Sequence, residues 1–309
     1  MGVVGSRTAD RRRPSAGSAT LTLLVLAAGL LLAACGAPRP GTAAPSASPG
    51  AEREREPSRP HPHFTLTRSE LRTMAGTSSP EIAVRIMERP QLFLELSEEL
   101  LRLPPEVLAR ADKERALPED YQPADLIPLE RYADRWILNR EGLSLRALII
   151  PDLAAMIEAA RLDGILLDIS SSYRSYAYQQ NLFAYWVSEL GQEEAERVSA
   201  RAGTSQHQLG TTVDFGSVTP EFAEHPAGRW LAANAAAWGF SLSYPDGYEH
   251  LTGYAFEPWH YRWLSRAGTR MEQEFFGGLQ QLMIEFWEEH EAGLRAACTT
   301  LEQPATLAP

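Results

Sequence analysis

The stretch SQHQLGTTVDF, Ser205 to Phe215, places a histidine and an aspartate on either side of a glycine, in a segment that otherwise reads as a β-strand. Apolar residues alternate with Asp214, so the aspartate points away from the core and needs water, a partner or a cation. His207 lies earlier and would face the opposite side of one unbroken strand. A turn or bulge at Gly210 would bring both side chains to one side of the sheet. The pair is therefore a candidate for half of a metal site.

A third ligand is needed, because catalytic zinc normally takes three protein ligands and leaves one position for water. His61 and His63 lie in a proline-rich stretch, and we interpret them as solvated spacers. His260 is different, since it ends the tetrapeptide EPWH (257–260) and has aromatic residues on both sides. Residues three apart lie on one side of a helical turn, and proline suits the first position of such a turn. Glu257 would then lie over whatever His260 binds.

These four side chains have the chemistry of a hydrolytic zinc site. One Zn²⁺ ion held by His207, Asp214 and His260 would lower the pKa of a bound water towards neutrality. Glu257 could take the proton and pass it to a leaving amine, so we interpret it as a base and not as a ligand. Any one of these residues alone is more often a structural hydrogen-bonding group. The agreement of the whole set with the wider sequence favours the metal site.

Three motifs follow one another along the chain: Tyr-Arg-Ser-x-x-x-Gln at 173–179, Ser-x-His-x-x-Gly-x-x-x-Asp at 205–214 and Glu-x-x-His at 257–260. In this order they resemble the D-alanyl-D-alanine carboxypeptidase family of zinc peptidases, of the vancomycin-resistance carboxypeptidase type. This family includes relatives that act as L,D-carboxypeptidases on peptidoglycan. The resemblance extends over about residues 112–264. One departure is Ser243, which stands where an arginine often precedes Tyr-Pro in the family.

The resemblance implies a role for each matched residue. His207, Asp214 and His260 would bind one zinc ion, and Glu257 would be the general base. Arg174 would stabilise the oxyanion that forms when water attacks the scissile carbonyl. An arginine suits a substrate carboxylate equally well, so both roles stay open for Arg174.

The resemblance also implies which residues contact the peptide, namely Ser205, Gln179, Tyr244 and Trp259. The expected function is a zinc-dependent carboxypeptidase that removes a C-terminal D-alanine from peptidoglycan stem peptides, by D,D- or L,D-cleavage. The alternative is a cell-wall-binding lipoprotein with the same fold and no catalytic activity. The intact Glu-x-x-His motif speaks against that alternative.

The amino-terminal segment predicts export. Arginines at 11–13 precede a mostly apolar run, Leu21 to Leu32, which is shorter than the about 20 apolar residues of a membrane span. Leu-Ala-Ala-Cys follows and resembles the processing box of bacterial lipoproteins. We expect residues 1–34 to be a signal peptide and Cys35 to carry a lipid. The expected location is the outer face of the cell membrane, to which the lipid anchors the protein, or the periplasm. An ordinary cleaved signal is the alternative.

Composition limits the remaining possibilities. Residues 35–63 are rich in proline, alanine and serine and cannot bury enough apolar area to fold, so we expect a disordered tether. The formal net charge of −11 argues against nucleic acid as a partner. The expected partners are the peptidoglycan stem peptide and, through the lipid, the membrane. The oligomeric state stays open.

The pattern of elements predicts an α+β fold, in which an antiparallel sheet carries the zinc site and helices flank it. We expect a helical extension over 64–111, the carboxypeptidase domain over 112–266, and a C-terminal helix and tail over 267–309. Strands are expected at Ile165–Ile169, Thr211–Phe215 and Phe240–Tyr244. Helices are expected at Pro80–Arg89, Gln91–Leu103, Pro151–Leu162, after Ser175, near Gly228–Trp238 and around Leu279–Trp287.

An apolar stripe runs along the helix predicted after Ser175. Its members are Leu182, Phe183, Trp186 and Leu190, which recur at helical spacing. We interpret this stripe as part of the core and not as the wall of a ligand pocket.

Overall fold

The computed structural model describes residues 59–301 of the 309-residue chain. The helices in this range are α1 (Arg68–Ala75), α2 (Pro80–Glu88), α3 (Pro90–Leu101), α4 (Ile150–Leu162), α5 (Tyr176–Leu190), α6 (Gln192–Val198), α7 (Pro226–Asn234), α8 (Glu249–Thr252), α9 (Ser265–Phe275) and α10 (Gln280–Ala297). The strands are β1 (Leu126–Pro128), β2 (Ile137–Leu138), β3 (Ser144–Arg146), β4 (Asp168–Ser171), β5 (Thr212–Phe215), β6 (Phe240–Leu242) and β7 (His260–Trp263).

A five-stranded sheet in the order β2-β4-β5-β7-β6 forms the centre of the fold. Its neighbouring strands are antiparallel except for the pair β2–β4 at one edge, which is parallel. A second, two-stranded sheet pairs β1 with β3 in antiparallel orientation. The expected α+β fold with an antiparallel sheet is therefore confirmed, with one parallel edge that the sequence did not indicate.

Strand β5 lies in the middle of the sheet, and all four of its residues are buried. Successive strand residues point to opposite faces. Val213 pairs with Tyr261 across the ladder, and the Phe215 ring lies 6.0 Å from the Tyr261 ring, so these apolar side chains form the core face. Asp214 points to the other face, as the alternation predicts. Strand β5 thus carries a carboxylate into a buried position at the centre of the sheet.

The helices at the two ends of the described chain pack on each other. Phe93 of α3 lies edge-on to Phe275 of α9 at 5.4 Å and to Phe286 of α10 at 5.7 Å, and it is fully buried. Burying one phenylalanine stabilises a fold by about 1.5–3 kcal/mol. The backbone N–H of Thr65 donates to the carbonyl of Ala297 at 2.9 Å, which joins the two ends directly. The N- and C-terminal helices therefore share one hydrophobic core with the sheet.

Several predicted elements are present with small shifts of their ends. Helices α2, α3 and α4 match the predicted ranges closely, and the Ser175 hydroxyl caps α5 by accepting from the N–H of Tyr178. Strand β4 begins at Asp168 and not at Ile165, because the chain leaving α4 first runs along the surface, where Leu166 is exposed. Helix α9 was not predicted. Within residues 59–301 we find no helix with the length and apolar content that a membrane span requires.

Candidate metal centre

Asp214 is placed by its position in the ladder. It lies opposite His260 of β7 on one side and opposite Ser171 of β4 on the other. Side chains of directly paired residues share one face of a sheet, so Asp214 and His260 meet there. Asp214 is 1% exposed, so bulk water cannot solvate its carboxylate. A buried carboxylate needs partners, and these come from three directions.

His207 reaches the same face through the turn at Gly210. It lies in a 3₁₀ helix, Gln206–Leu209, which ends at Gly210 in the left-handed conformation, with φ of 71°. That conformation favours glycine. The His207 Nδ1–H donates to the carbonyl of Ser172 at 2.6 Å, so the lone pair of the neutral ring is on Nε2. Nε2 points at Asp214, 3.2 Å from Oδ2.

His260 follows a turn in which its N–H donates to the carbonyl of Glu257 at 3.1 Å. The predicted turn is present, and His260 then begins strand β7. Its Nδ1 lies 3.2 Å from Asp214 Oδ1 and 3.2 Å from Glu257 Oε2. Its Nε2 lies 3.4 Å from the side-chain oxygen of Gln206. Both histidines therefore turn one ring nitrogen to Asp214 while a protein oxygen holds the other.

His207, Asp214 and His260, which we call the sheet cluster, fit a metal ion. Each offers one ligand atom, and these atoms all lie within 4.8 Å of one another. Among the described residues, His207 Nε2 and Asp214 Oδ1 have no hydrogen-bond partner, although both are buried. With Zn–N bonds of about 2.0–2.1 Å, tetrahedral ligands lie about 3.3 Å apart, close to the observed separations. A lone pair that faces a carboxylate at such a distance is stable only with a proton or a metal cation between them, and the low pKa of His207 disfavours the proton.

The electrostatics of the sheet cluster favour a neutral histidine and an ionised aspartate. Burial and the positive charge of Arg174 lower the pKa of His207 to about 4, so its imidazole is neutral at pH 7. Burial alone would raise the pKa of Asp214. The positive charge of Arg174, whose guanidinium donates to Oδ2, instead holds the pKa of Asp214 well below its ordinary value. Both groups are thus in the protonation state that metal ligation needs.

His260 has the opposite shift. Burial alone would lower its pKa, but the hydrogen bonds and negative charges of Asp214 and Glu257 raise the pKa of His260 to about 9. Without a bound metal ion, His260 therefore holds a proton between the two carboxylates. A metal ion at Nδ1 must displace that proton.

Glu257 and Arg174 lie beside the sheet cluster on either side. Burial raises the pKa of Glu257, and the nearby charge of Asp214 adds to the increase. Arg174 Nη2 donates to Asp214 Oδ2 at 2.6 Å, and Nε donates to the Ser171 hydroxyl at 3.0 Å. Its side chain is 18% exposed, so the guanidinium reaches both the aspartate and the space in front of it.

A cavity of about 270 Å³ opens in front of the sheet cluster. Ser205, Tyr244 and Trp259, which the sequence suggested as substrate contacts, all line it. Gln179 is absent from the lining. Its side chain is buried, with Nε2 donating to the carbonyl of Ala200 at 2.8 Å and Oε1 lying 3.5 Å from Arg174 Nη1. Gln179 thus contacts Arg174 and not the cavity.

The interpretation of the apolar stripe on α5 as core is wrong. Leu182 and Trp186 line the cavity, and Leu190 is exposed. Periodicity shows that a helix has an apolar face, but a substrate cleft can cover that face as well as a core can. The sequence reasoning also missed Tyr254, whose buried ring lies 4.8 Å from that of Tyr244, and Arg140 at the cavity wall.

A second group of possible ligands, which we call the terminal cluster, consists of His61, His63 and Glu98. His61 is buried, and the His63 ring nitrogen Nδ1 lies 2.8 Å from Glu98 Oε2. The interpretation as a solvated spacer is therefore wrong for His61. His63 is exposed, as predicted, but it is not a free spacer, because its ring contacts Glu98 and the N–H of Thr299 donates to its carbonyl. Cys35, the predicted lipidation site, lies outside the described residues.

Comparison with known proteins identifies the family. The family model for VanY, D-alanyl-D-alanine carboxypeptidase, matches residues 142–266. The solved structure of the LdcB LD-carboxypeptidase, described in terms of peptidoglycan recognition, superposes with a TM-score of 0.52 at 31% identity. That match covers 60% of this chain and 87% of LdcB. The chain belongs to the VanY family. The resemblance noted from the three motifs is thereby confirmed.

Curated members of the family share part of their length with this chain. YodJ of Bacillus subtilis (strain 168), which carries a provisional carboxypeptidase name, is 33% identical over 183 residues, covering 57% of this chain and 66% of YodJ. A D-alanyl-D-alanine carboxypeptidase of Enterococcus faecalis (strain ATCC 700802 / V583) is 34% identical over 143 residues, covering 43% of this chain and 53% of the relative. The chain thus spans between about half and two thirds of these relatives.

Proposed function

We propose that the protein is a zinc-dependent carboxypeptidase that removes a C-terminal D-alanine from peptidoglycan stem peptides. One observation carries the proposal. Three buried ligand atoms lie within 4.8 Å of one another, two of these residues carry an unpartnered polar atom, and a carboxylate and an arginine lie beside them at a cavity. Membership of the VanY family supports the substrate class.

Each residue has a defined part in this reaction. His207, Asp214 and His260 would hold a Zn²⁺ ion, which would supply Lewis-acid chemistry and a water of lowered pKa. Glu257 takes a proton from the attacking water and gives it to the leaving amine. The burial that raises the pKa of Glu257 suits this role, because a base with a pKa nearer to neutrality can also act as an acid in the next step.

Arg174 supplies positive charge at the cavity wall. Its contacts with Asp214 and Ser171 hold the guanidinium in place before substrate arrives. A preorganised charge stabilises negative charge that develops on the carbonyl oxygen without further reorganisation. The same position suits the carboxylate at the end of a peptide, so the two roles of Arg174 are separated by kinetics: an oxyanion partner changes kcat, and a carboxylate anchor changes KM.

The bond that is cut is either D,D or L,D. The family model is named for D-alanyl-D-alanine, and the structural relative LdcB is an LD-carboxypeptidase. We therefore test both substrates: a synthetic stem pentapeptide ending in D-alanyl-D-alanine and the corresponding tetrapeptide. Release of D-alanine from either, in a sample that contains one zinc ion per chain and loses activity with a chelator, supports the proposal.

A catalytically inactive cell-wall-binding protein is the alternative. Such a protein, when loaded with zinc, would bind muropeptides but would release no D-alanine from either peptide. Glu257 and its contact with His260 would have no function in such a protein, which is why we prefer the enzyme.

We further propose that the protein is exported and anchored to the membrane by a lipid on Cys35. The sequence around Cys35 supports this proposal, as described above. Metabolic labelling with a fatty acid tests it: the label is expected on the wild-type chain and absent from Cys35→Ala. An unlabelled wild-type chain would favour an ordinary cleaved signal.

A further inference from the structure

A closed ring of uncharged side chains lies behind His260. The Ser243 hydroxyl donates to Gln206 Oε1 at 2.7 Å, Gln206 Nε2 donates to Gln280 Oε1 at 3.1 Å, and Gln280 Nε2 donates to the Ser243 oxygen at 3.1 Å. All three side chains are buried. A ring that ran in the opposite direction would satisfy the same three side chains, but it would turn Gln280 Oε1 towards the carbonyl of Ser241. Gln280 Nε2 donates to that carbonyl at 3.5 Å, which fixes the direction of the ring.

This ring decides which end of the Gln206 amide faces His260. The amino group of Gln206 is engaged by Gln280, and the oxygen accepts from Ser243 and lies 3.4 Å from His260 Nε2. An amide oxygen can only accept. When a metal ion displaces the proton from Nδ1, the proton that remains on the His260 ring is on Nε2, where the Gln206 oxygen accepts it. Nδ1 is the nitrogen that faces Asp214 and Glu257.

Gln280 reaches the site from outside the matched domain. It begins α10, whereas the family model matches residues 142–266. The side chain of the next residue, Gln281, has other partners: it donates to Asp112 Oδ2 at 2.7 Å and to Glu285 Oε1 at 2.9 Å. Less than two turns further along α10, Phe286 packs against Phe93 of α3. The C-terminal helix therefore delivers one side chain to the back of the metal centre.

We propose that Gln280, acting through Gln206 and Ser243, is a positioning residue that orients His260 and provides the acceptor for the Nε2 proton of its metal-bound form. The inference rests on the proposed metal site at the sheet cluster. It assigns a role in that site to the C-terminal helix, and it accounts for Ser243 at a position where the family often has an arginine. A longer charged side chain at 243 would occupy the space that Gln280 fills.

The test is the zinc affinity of the purified full-length protein, measured by chelator competition. Oxygen partners of metal-bound histidines typically contribute about 10- to 100-fold to affinity. Gln280→Leu is expected to lower the affinity by about tenfold. Gln281→Leu is the matched control, because it removes an adjacent buried glutamine and its hydrogen bond to Asp112 without touching the ring. It is expected to keep the wild-type affinity.

Two further measurements separate positioning from a general loss of structure. In the zinc-loaded protein, the His260 Nε2–H proton is expected to be protected from exchange and visible by NMR, and this signal is expected to disappear in Gln280→Leu. In a double-mutant cycle, the double variant that carries Gln206→Leu and Gln280→Leu is expected to lose no more zinc affinity than Gln206→Leu alone. The reason is that Gln280 acts through Gln206. Ser243→Ala opens the ring from the other side and replaces Gln280→Leu if that variant does not fold.

The outcomes distinguish this inference from the proposed function. Equal affinities for Gln280→Leu, Ser243→Ala and the wild type would overturn the positioning role and leave the metal site intact. Additive losses in the double-mutant cycle would also overturn it. A wild-type chain that binds no zinc would overturn both proposals together.

Discussion

The sheet cluster and the terminal cluster contain the same kinds of side chain, two histidines and a carboxylate, at similar mutual distances. They differ in what their lone pairs face. In the sheet cluster, His207 Nε2 and Asp214 Oδ1 have no hydrogen-bond partner among the described residues. Each histidine there is held from behind by an oxygen, from Ser172 or from Gln206.

In the terminal cluster the lone pairs are already in use. His61 Nδ1 accepts from the N–H of His63 at 3.2 Å, so the neutral His61 ring carries its proton on Nε2. Glu98 accepts from Thr300 at 2.7 Å and from Arg102 at 2.5 Å, while its other oxygen contacts His63. The terminal cluster therefore fastens the two ends of the fold, and proximity of ligand types alone does not make a metal site.

Matched substitutions of the two carboxylates give the largest contrast. Asp214→Asn is expected to remove zinc from the purified protein and all activity with it, because an amide is a poor ligand and the anion that attracts the cation is lost. Glu98→Gln, the same change in the terminal cluster, is expected to keep one zinc per chain. Metal analysis after dialysis measures both. A lower zinc content in Glu98→Gln would show that the terminal cluster also binds metal.

Removal of the base is expected to separate metal binding from turnover. Glu257→Gln is expected to reduce kcat by about 10²- to 10⁴-fold, because a positioned general base contributes that much. Its zinc content is expected to equal that of the wild type, since the three ligands of the sheet cluster are unchanged. Steady-state release of D-alanine, together with metal analysis, checks the two expectations. A Glu257→Gln protein without bound zinc would show that Glu257 is a metal ligand and not only a base.

The pH dependence of zinc affinity follows from the raised pKa of His260. Below about pH 9 the metal must displace one proton from His260, so affinity is expected to rise about tenfold per pH unit between pH 6 and 8. His207 adds nothing in this window, because its pKa is about 4. Chelator competition at three pH values measures the slope. A flat profile would contradict the assignment of His260 as a ligand.

The smallest expected effect concerns the stability that the terminal cluster provides. Hydrogen bonds from Thr300 and His63 hold the pKa of Glu98 below its ordinary value of 4.5, although burial opposes them. The contribution of the ionised carboxylate is therefore present above about pH 4.5 and is lost as the pH falls through the lowered value. Glu98→Gln is expected to lower the free energy of unfolding by about 1–2 kcal/mol at pH 7. Urea denaturation of both proteins at pH 7 and in acid measures the difference in their free energies of unfolding, which is expected to shrink in acid. A difference that grows in acid would contradict this expectation.

The sequence predicted much of the sheet cluster, because local rules apply to it. Strand alternation turns Asp214 away from Val213 and Phe215, and the glycine at 210 permits the turn that returns His207 to the same face. The i, i+3 spacing of Glu257 and His260 forms a turn across a proline. Each of these relations spans ten residues or fewer, within the range where backbone geometry determines side-chain direction.

The partners of these residues could not be predicted in the same way. Gln280 lies 74 positions from Gln206, and no local rule connects them. The spacing of Leu182 and Trp186 indicated an apolar helix face. It did not indicate that this face lines the cavity. The burial of His61 depended on a pairing between the two ends of the fold, Phe64 with Cys298.

The sequence by itself thus determined the ligand types, their motifs and the strand that bears Asp214. Tertiary structure alone decided which lone pairs remain free, which ring nitrogen of His260 faces the metal position, and which of two similar clusters suits an ion. The physical reason is that hydrogen-bond satisfaction depends on every neighbour of a buried atom, and most of these neighbours come from distant parts of the chain.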